Sequence, residues 1–184
     1  MNTAGVKFRS ADQHVVHVYE ESGTLVRGVA AYLAVALLHG EAALVVATAA
    51  HRDALEVALD LRGLPMEELR ARGQYVALDA EALLEHLVPA GRLDPHAFGA
   101  LVSAEVEALA GWGGGLSVYG ELVALLWRRG QTAAAVQVED LWNDLADSYR
   151  FRMYCGYDSA AFDREGTAAQ AARVLTAHSD VRCS

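Results

Sequence analysis

The chain has 184 residues, 53% of them apolar, which suits one domain with a sizeable core. A formal charge of −9 and a pI near 5.2, with no concentrated patch of Lys and Arg, argue against direct binding to nucleic acid or to an anionic membrane. No apolar run reaches the roughly 20 residues of a membrane span, and residues 1–14 lack the apolar centre of a signal peptide. A cytoplasmic location is therefore expected, with Cys155 and Cys183 as free thiols.

In chain order, HVVHVY at residues 14–19 predicts a strand that turns abruptly into a helix over 23–40. In that helix Leu25, Val29, Leu33, Ala36 and Leu37 form one stripe, and Gly40 is the stop. AALVVATAA at 42–50 is apolar on both faces, as a central parallel strand should be. A helix over 51–63 ends at Gly63, and Pro65 opens a short helix before the strand QYVALD at 74–79. A helix over 80–88 leads to a loop at Pro89 and Gly91. Residues 94–111 read as one helix capped by Asp94 before Pro95. GWGGG then precedes the strand LSVYG at 116–120, helices over 121–130 and 132–151, and a last strand, FRMYCGY, at 151–157. A polar tail follows.

Strands separated by helices imply an α/β fold, a mostly parallel sheet with helices on both faces. In such sheets ligands sit outside the carboxyl ends of the strands, near the point where strand order reverses. That rule selects Tyr19 and Glu20, Thr48 to His51, Tyr119 to Glu121, and Cys155 to Tyr157.

The first strand and turn resemble a nucleotide-binding element without its equipment. A P-loop needs glycines around the phosphates, a lysine for their charge and a Ser/Thr for magnesium. Here Glu20 and Glu21 occupy the turn, and Gly23-Thr24 is followed by Leu25. No nucleotide or other cofactor is expected.

HVVHVYE, GEAALVVATAAHRDALEVAL, GQYVALDAEALL, YGELVALLW, VEDLWNDLA and FRMYCGYD stand in the order and spacing of the MEDS family, which the chain resembles over about residues 14–163. The resemblance implies a RecA/KaiC-like three-layer sandwich with a degenerate P-loop, serving as a sensor of small, hydrocarbon-like molecules. It divides the chain into an N-terminal arm at 1–13, a sensory domain at 14–163 and a tail at 164–184. Two departures from the family pattern are visible. Leu116, Ser117 and Val118 stand where relatives commonly carry a basic residue, and the usual Cys-Ala-Tyr-Pro ending reads Cys155-Gly156-Tyr157-Asp158. Many relatives join this domain to a kinase or DNA-binding module, so the output is expected to pass through a signalling partner, a kinase or a transcription regulator.

The candidate ligand contacts are His17, Tyr19, Glu20, His51, Glu121, Cys155 and Tyr157. His14 and His17 cannot face one ion, because strand positions three apart point to opposite faces. His17 and Tyr19 share a face. Glu121 suits a helix start whether or not it meets a ligand, and Trp127 and Trp142 read as core. Asn143 and Asp144 read either as an ordered polar contact or as a solvated face. Five of these residues, His17, Tyr19, His51, Glu121 and Cys155, are expected to border one crevice. No complete catalytic motif is present. The alternative to a sensor is a metal- or thiol-dependent enzyme assembled from His17, His51, Glu121 and Cys155. The apolar helix segments around Leu122 to Trp127 and Ala133 to Trp142 suggest a homodimer.

Overall fold

The computed structural model describes residues 14–162, 172 and 180–183. Its elements are β1 (His14–Tyr19), α1 (Ser22–Leu38), β2 (Ala42–Ala47), α2 (Ala49–Asp60), α3 (Met66–Ala71), β3 (Tyr75–Asp79) and α4 (Ala80–Leu87). They continue with α5 (Pro95–Phe98), α6 (Ala104–Ala110), β4 (Leu116–Gly120), α7 (Leu122–Arg128), α8 (Thr132–Tyr149), β5 (Arg152–Asp158), α9 (Ser159–Phe162) and β6 (Asp180–Cys183).

The six strands form one sheet in the order β3-β2-β4-β5-β1-β6, and every pairing is parallel. The connections explain the layers. From β1 to β2 to β3 the chain moves one way across the sheet, and from β3 to β4 to β5 it moves back. Crossovers of a single hand then place the two groups of helices on opposite faces. Leu25, Val29, Leu33 and Leu37 of α1 pack with Leu55, Leu59, Met66 and Leu69 of α2 and α3 against Val45 and Tyr119. On the other face Leu84, Phe98, Val106, Leu126 and Trp142 pack against Leu44, Val118 and Met153. β2 is buried along its whole length, as a strand covered on both sides must be. The result is the expected three-layer α/β sandwich.

Local chemistry sets the boundaries. Asp79 caps α4 by accepting from the N–H groups of Glu81 and Ala82, and Asp94 caps α5 through His96 and Ala97. The glycine after α1, Gly40, has φ +78°, the left-handed conformation that ends a helix.

Three expectations change. The helix read over 94–111 is α5 and α6 joined by a π turn at Gly99–Ser103. The segment read as a polar tail supplies β6, whose residues 180–183 pair with Val15 to Val18 of β1. The helix surface offered for a homodimer is already covered within the chain: Leu122 to Trp127 are all buried, as are Ala134, Ala135, Val138 and Trp142. Among the described residues no helix is long and apolar enough to cross a membrane. The N-terminal arm, residues 1–13, lies outside the described residues.

Candidate functional site

The helices that follow β2 and β4 leave toward opposite faces although the strands are neighbours, so their carboxyl ends mark the switch point of the sheet. Glu121 stands there. This residue follows the last position of β4, and its N–H continues the ladder to Val46 O at 2.9 Å. Its side chain, in a residue only 4% exposed, reaches across the end of β2. There Oε2 accepts from the Thr48 N–H at 2.9 Å, and Oε1 accepts from the Tyr119 hydroxyl at 2.5 Å and contacts His51 Nδ1. His51 belongs to the first turn of α2, and its Nε2 stands 2.6 Å from the hydroxyl of Ser22, the first residue of α1.

The electrostatics follow from these partners. Burial pushes the Glu121 carboxyl upward, but His51, Tyr119 and the Thr48 N–H outweigh it and hold the pKa below the ordinary glutamate value. The carboxylate is thus ionised at neutral pH. It fixes the His51 proton on Nδ1 and leaves Nε2 to accept from Ser22. Burial, and then the charge of Glu121, raises Tyr119 far above the usual phenol value, so its hydroxyl remains a donor.

Aromatic rings extend the network over the same sheet face. Tyr19 meets His51 edge-on at 6.5 Å between centroids and His17 at 6.3 Å, and Tyr154 lies 5.9 Å from His17 and 6.3 Å from Tyr119. The Tyr154 hydroxyl and His17 Nδ1 are hydrogen-bonded at 2.8 Å. Burial, then Glu121 and Asp158, pushes Tyr19 up to about 12, while burial and then Arg182 lower His17. Helix α1 crosses close above this group. A Cβ on Gly28 would stand 2.9 Å from the Tyr154 hydroxyl, so glycine is what permits the approach.

The alternate residues of β1 and β5 build a second cluster on the opposite face. His14 Nδ1 lies 3.0 Å from Asn143 Oδ1, and His14 Nε2 lies 3.3 Å from Cys155 Sγ and 3.6 Å from Glu139 Oε1. The Tyr157 hydroxyl donates to Glu139 Oε2 at 3.2 Å. All of these except Asn143 are buried. Burial raises Glu139 to about 7 and Cys155 far above its normal value, so the thiol stays protonated and the carboxyl is held toward its protonated form beside His14. Ligand atoms of His14, Glu139 and Cys155 lie within 4.8 Å of one another. These three are the described residues suited to hold a cation, at the cost of deprotonating the thiol.

The expected five-residue crevice therefore divides. His17, Tyr19, His51 and Glu121 share one face, while Cys155 and Tyr157 point to the other. The parallel register explains the division: Gly156 stands opposite His17, so the side chain of Cys155 falls on the face of Val16. The same register rules out the four-residue assembly of His17, His51, Glu121 and Cys155. Glu20 is exposed in the bend after β1. His14 and His17 do face opposite ways, and Asn143 makes the ordered contact that was one of its two readings. Sequence reasoning missed Ser22, Tyr154 and Glu139. Ser22 had one visible signal, its place at a strand-to-helix turn. The basic residue missing near Ser117 is supplied by the adjacent strand, since Arg152 pairs with Ser117 in register and bonds both its hydroxyl and Glu41.

A family model described as MEDS, the MEthanogen/methylotroph, DcmR Sensory domain, matches residues 13–178. No curated protein and no solved structure matches the chain.

Proposed function

On the premise that the chain belongs to the MEDS family of sensory domains, we propose that it senses a small, weakly polar molecule of the hydrocarbon class at the mouth formed by Tyr19, His51 and Glu121. The observation that supports this reading is the half-buried His51 beside Tyr19, fixed from behind by the buried Glu121 and in contact in front with exposed Ser22. Aromatic edges offer apolar contact, and one oriented imidazole offers a polar bond, the usual composition of a small-molecule site. A ligand that takes the Ser22 hydrogen bond would release the start of α1, which crosses the sheet from β1 to β2 and packs on α2. That movement is a route from ligand to a signalling partner, a kinase or a transcription regulator. A homodimer would use exposed Val57 on α2 and Leu61 just after it in place of the covered helices.

The turn holding Glu20 and Glu21 places negative charge where a phosphate loop would neutralise it, in keeping with a RecA/KaiC-like ancestor that has lost its nucleotide. Calorimetric titration with small hydrocarbons and halomethanes tests the reading. Saturable heat is expected for the native chain, weakened about tenfold by Tyr19→Ala or His51→Ala if each makes a contact of roughly 1.4 kcal/mol. Mg-ATP should give no saturable heat. Equal affinity in the variants, or saturable ATP binding, overturns it.

A further inference from the structure

Ser22, His51 and Glu121 form a hydroxyl–imidazole–carboxylate relay, and we propose that it acts as a nucleophilic triad that transfers acyl groups from uncharged esters or thioesters to water. This activity goes beyond sensing and does not depend on it. The geometry is complete at each link. Ser22 Oγ lies 2.6 Å from His51 Nε2, His51 Nδ1 contacts Glu121 Oε1, and Glu121 is itself held by Tyr119 and by the Thr48 N–H. Such triads are recognised by geometry and roles, and the chain order of their members varies between folds.

The placement fits the chemistry. Ser22 is exposed at a strand-to-helix turn, the position that presents a nucleophile above a parallel sheet. His51 is half-buried and Glu121 buried, so the hydroxyl meets substrate while the carboxylate stays dry. In the reaction Ser22 Oγ attacks the carbonyl carbon as its proton passes to His51 Nε2. The carbonyl π bond opens to an oxyanion, which the N–H groups of Ser22 and Gly23 are placed to receive, since a helix supplies no acceptor for its first N–H groups. Collapse expels the alcohol or thiol, which takes the proton from His51. Water then cleaves the acyl–Ser22 ester by the same relay and restores the hydroxyl. Exposed Glu20 and Glu21 next to Ser22 repel anionic acyl groups, which is why the substrate class is uncharged.

The test is labelling of the full chain with an uncharged alkyl fluorophosphonate. Ser22 Oγ would form the P–O bond as fluoride leaves and His51 takes the proton. Mass spectrometry should find one adduct per chain, located at Ser22. Labelling should vanish in Ser22→Ala, fall at least about 100-fold in His51→Ala, and stay unchanged in Ser148→Ala, a distant exposed serine. Glu121 is a positioning residue here. Glu121→Gln should slow labelling of Ser22 at least about tenfold and Glu121→Asp should recover part of the rate, a rescue that loss of structure alone does not produce. Absence of any adduct, an adduct elsewhere, or equal labelling of Ser22→Ala overturns the proposal.

Discussion

Glu121 and Glu139 are buried to nearly the same depth, 4% and 3% exposed, yet their pKa values move in opposite directions. Burial raises both. At Glu121 an imidazole, a phenol and a backbone N–H converge on the two oxygens and reverse the shift. At Glu139 the Tyr157 hydroxyl opposes it only weakly, and neighbouring Asp140 adds repulsion. Depth therefore does not decide which face of the sheet carries a charge; the donors within reach do. The two sites draw on opposite faces of strands β1 and β5, but their carboxylates come from elsewhere, Glu121 from the end of β4 and Glu139 from α8. One carboxylate is held ionised beside exposed Ser22, and the other is held toward its protonated form in a buried cluster.

The largest effect should come from removing the charged partner. Glu121→Ala leaves the Tyr119 hydroxyl, the Thr48 N–H and His51 Nδ1 without their acceptor, and three stranded donors should cost about 3–5 kcal/mol in denaturant unfolding at neutral pH. The pH dependence has a definite sign. A lowered folded pKa means that the Glu121 contribution is present above about 4.5 and is lost as pH falls through the folded value. A loss under 1 kcal/mol would show that the converging donors are not what separates the two sites.

Glu139 should behave in the opposite sense. Its folded pKa of about 7 lies above the ordinary 4.5, so its stabilising contribution is full below 4.5 and is lost as pH rises to about 7. Relative to the native chain, Glu139→Gln should therefore become more stable by up to about 3 kcal/mol as pH rises across that window. Urea midpoints at pH 4.5 and 7.5 measure the change. A constant difference between variant and native chain would place a charged carboxylate in the closed cluster and erase the comparison.

The sequence made one half of this comparison much easier to read than the other. Short apolar strands separated by helices, the Asp94 cap and the glycine stop at Gly40 carried the fold, because each is a local rule acting over a few residues. The sheet rule then located Tyr19, His51 and Glu121. Side-chain parity is legible within a strand, but the register between β1 and β5 is a tertiary property, and on it depended the error of placing Cys155 with His17. Strand β6 escaped notice for a related reason. DVRC alternates over only four residues, too short a run to stand out from the polar tail, and it is its pairing with β1 that makes it a strand. Glu139 looked like any polar position of α8 until the helix was laid on the sheet with that residue inward.

The smallest effect tests whether the open face owes its behaviour to charge or to its aromatic rings. Tyr154→Phe keeps the ring against His17 and Tyr119 and removes only the hydroxyl that is bonded to His17 Nδ1. The loss should be about 1 kcal/mol, the net worth of one neutral hydrogen bond. His17 is held neutral by burial and by Arg182, so its contribution is present above about 6.5 and is lost as pH falls through its lowered folded pKa. Neither cause involves the Tyr154 hydroxyl. The difference between Tyr154→Phe and the native chain should therefore stay constant between pH 5.5 and 8 in urea unfolding, where the Glu139→Gln difference slopes. A sloping difference for Tyr154→Phe would mean that the hydroxyl, and not burial, sets the charge of His17, and the open face would then be controlled at two separate imidazoles.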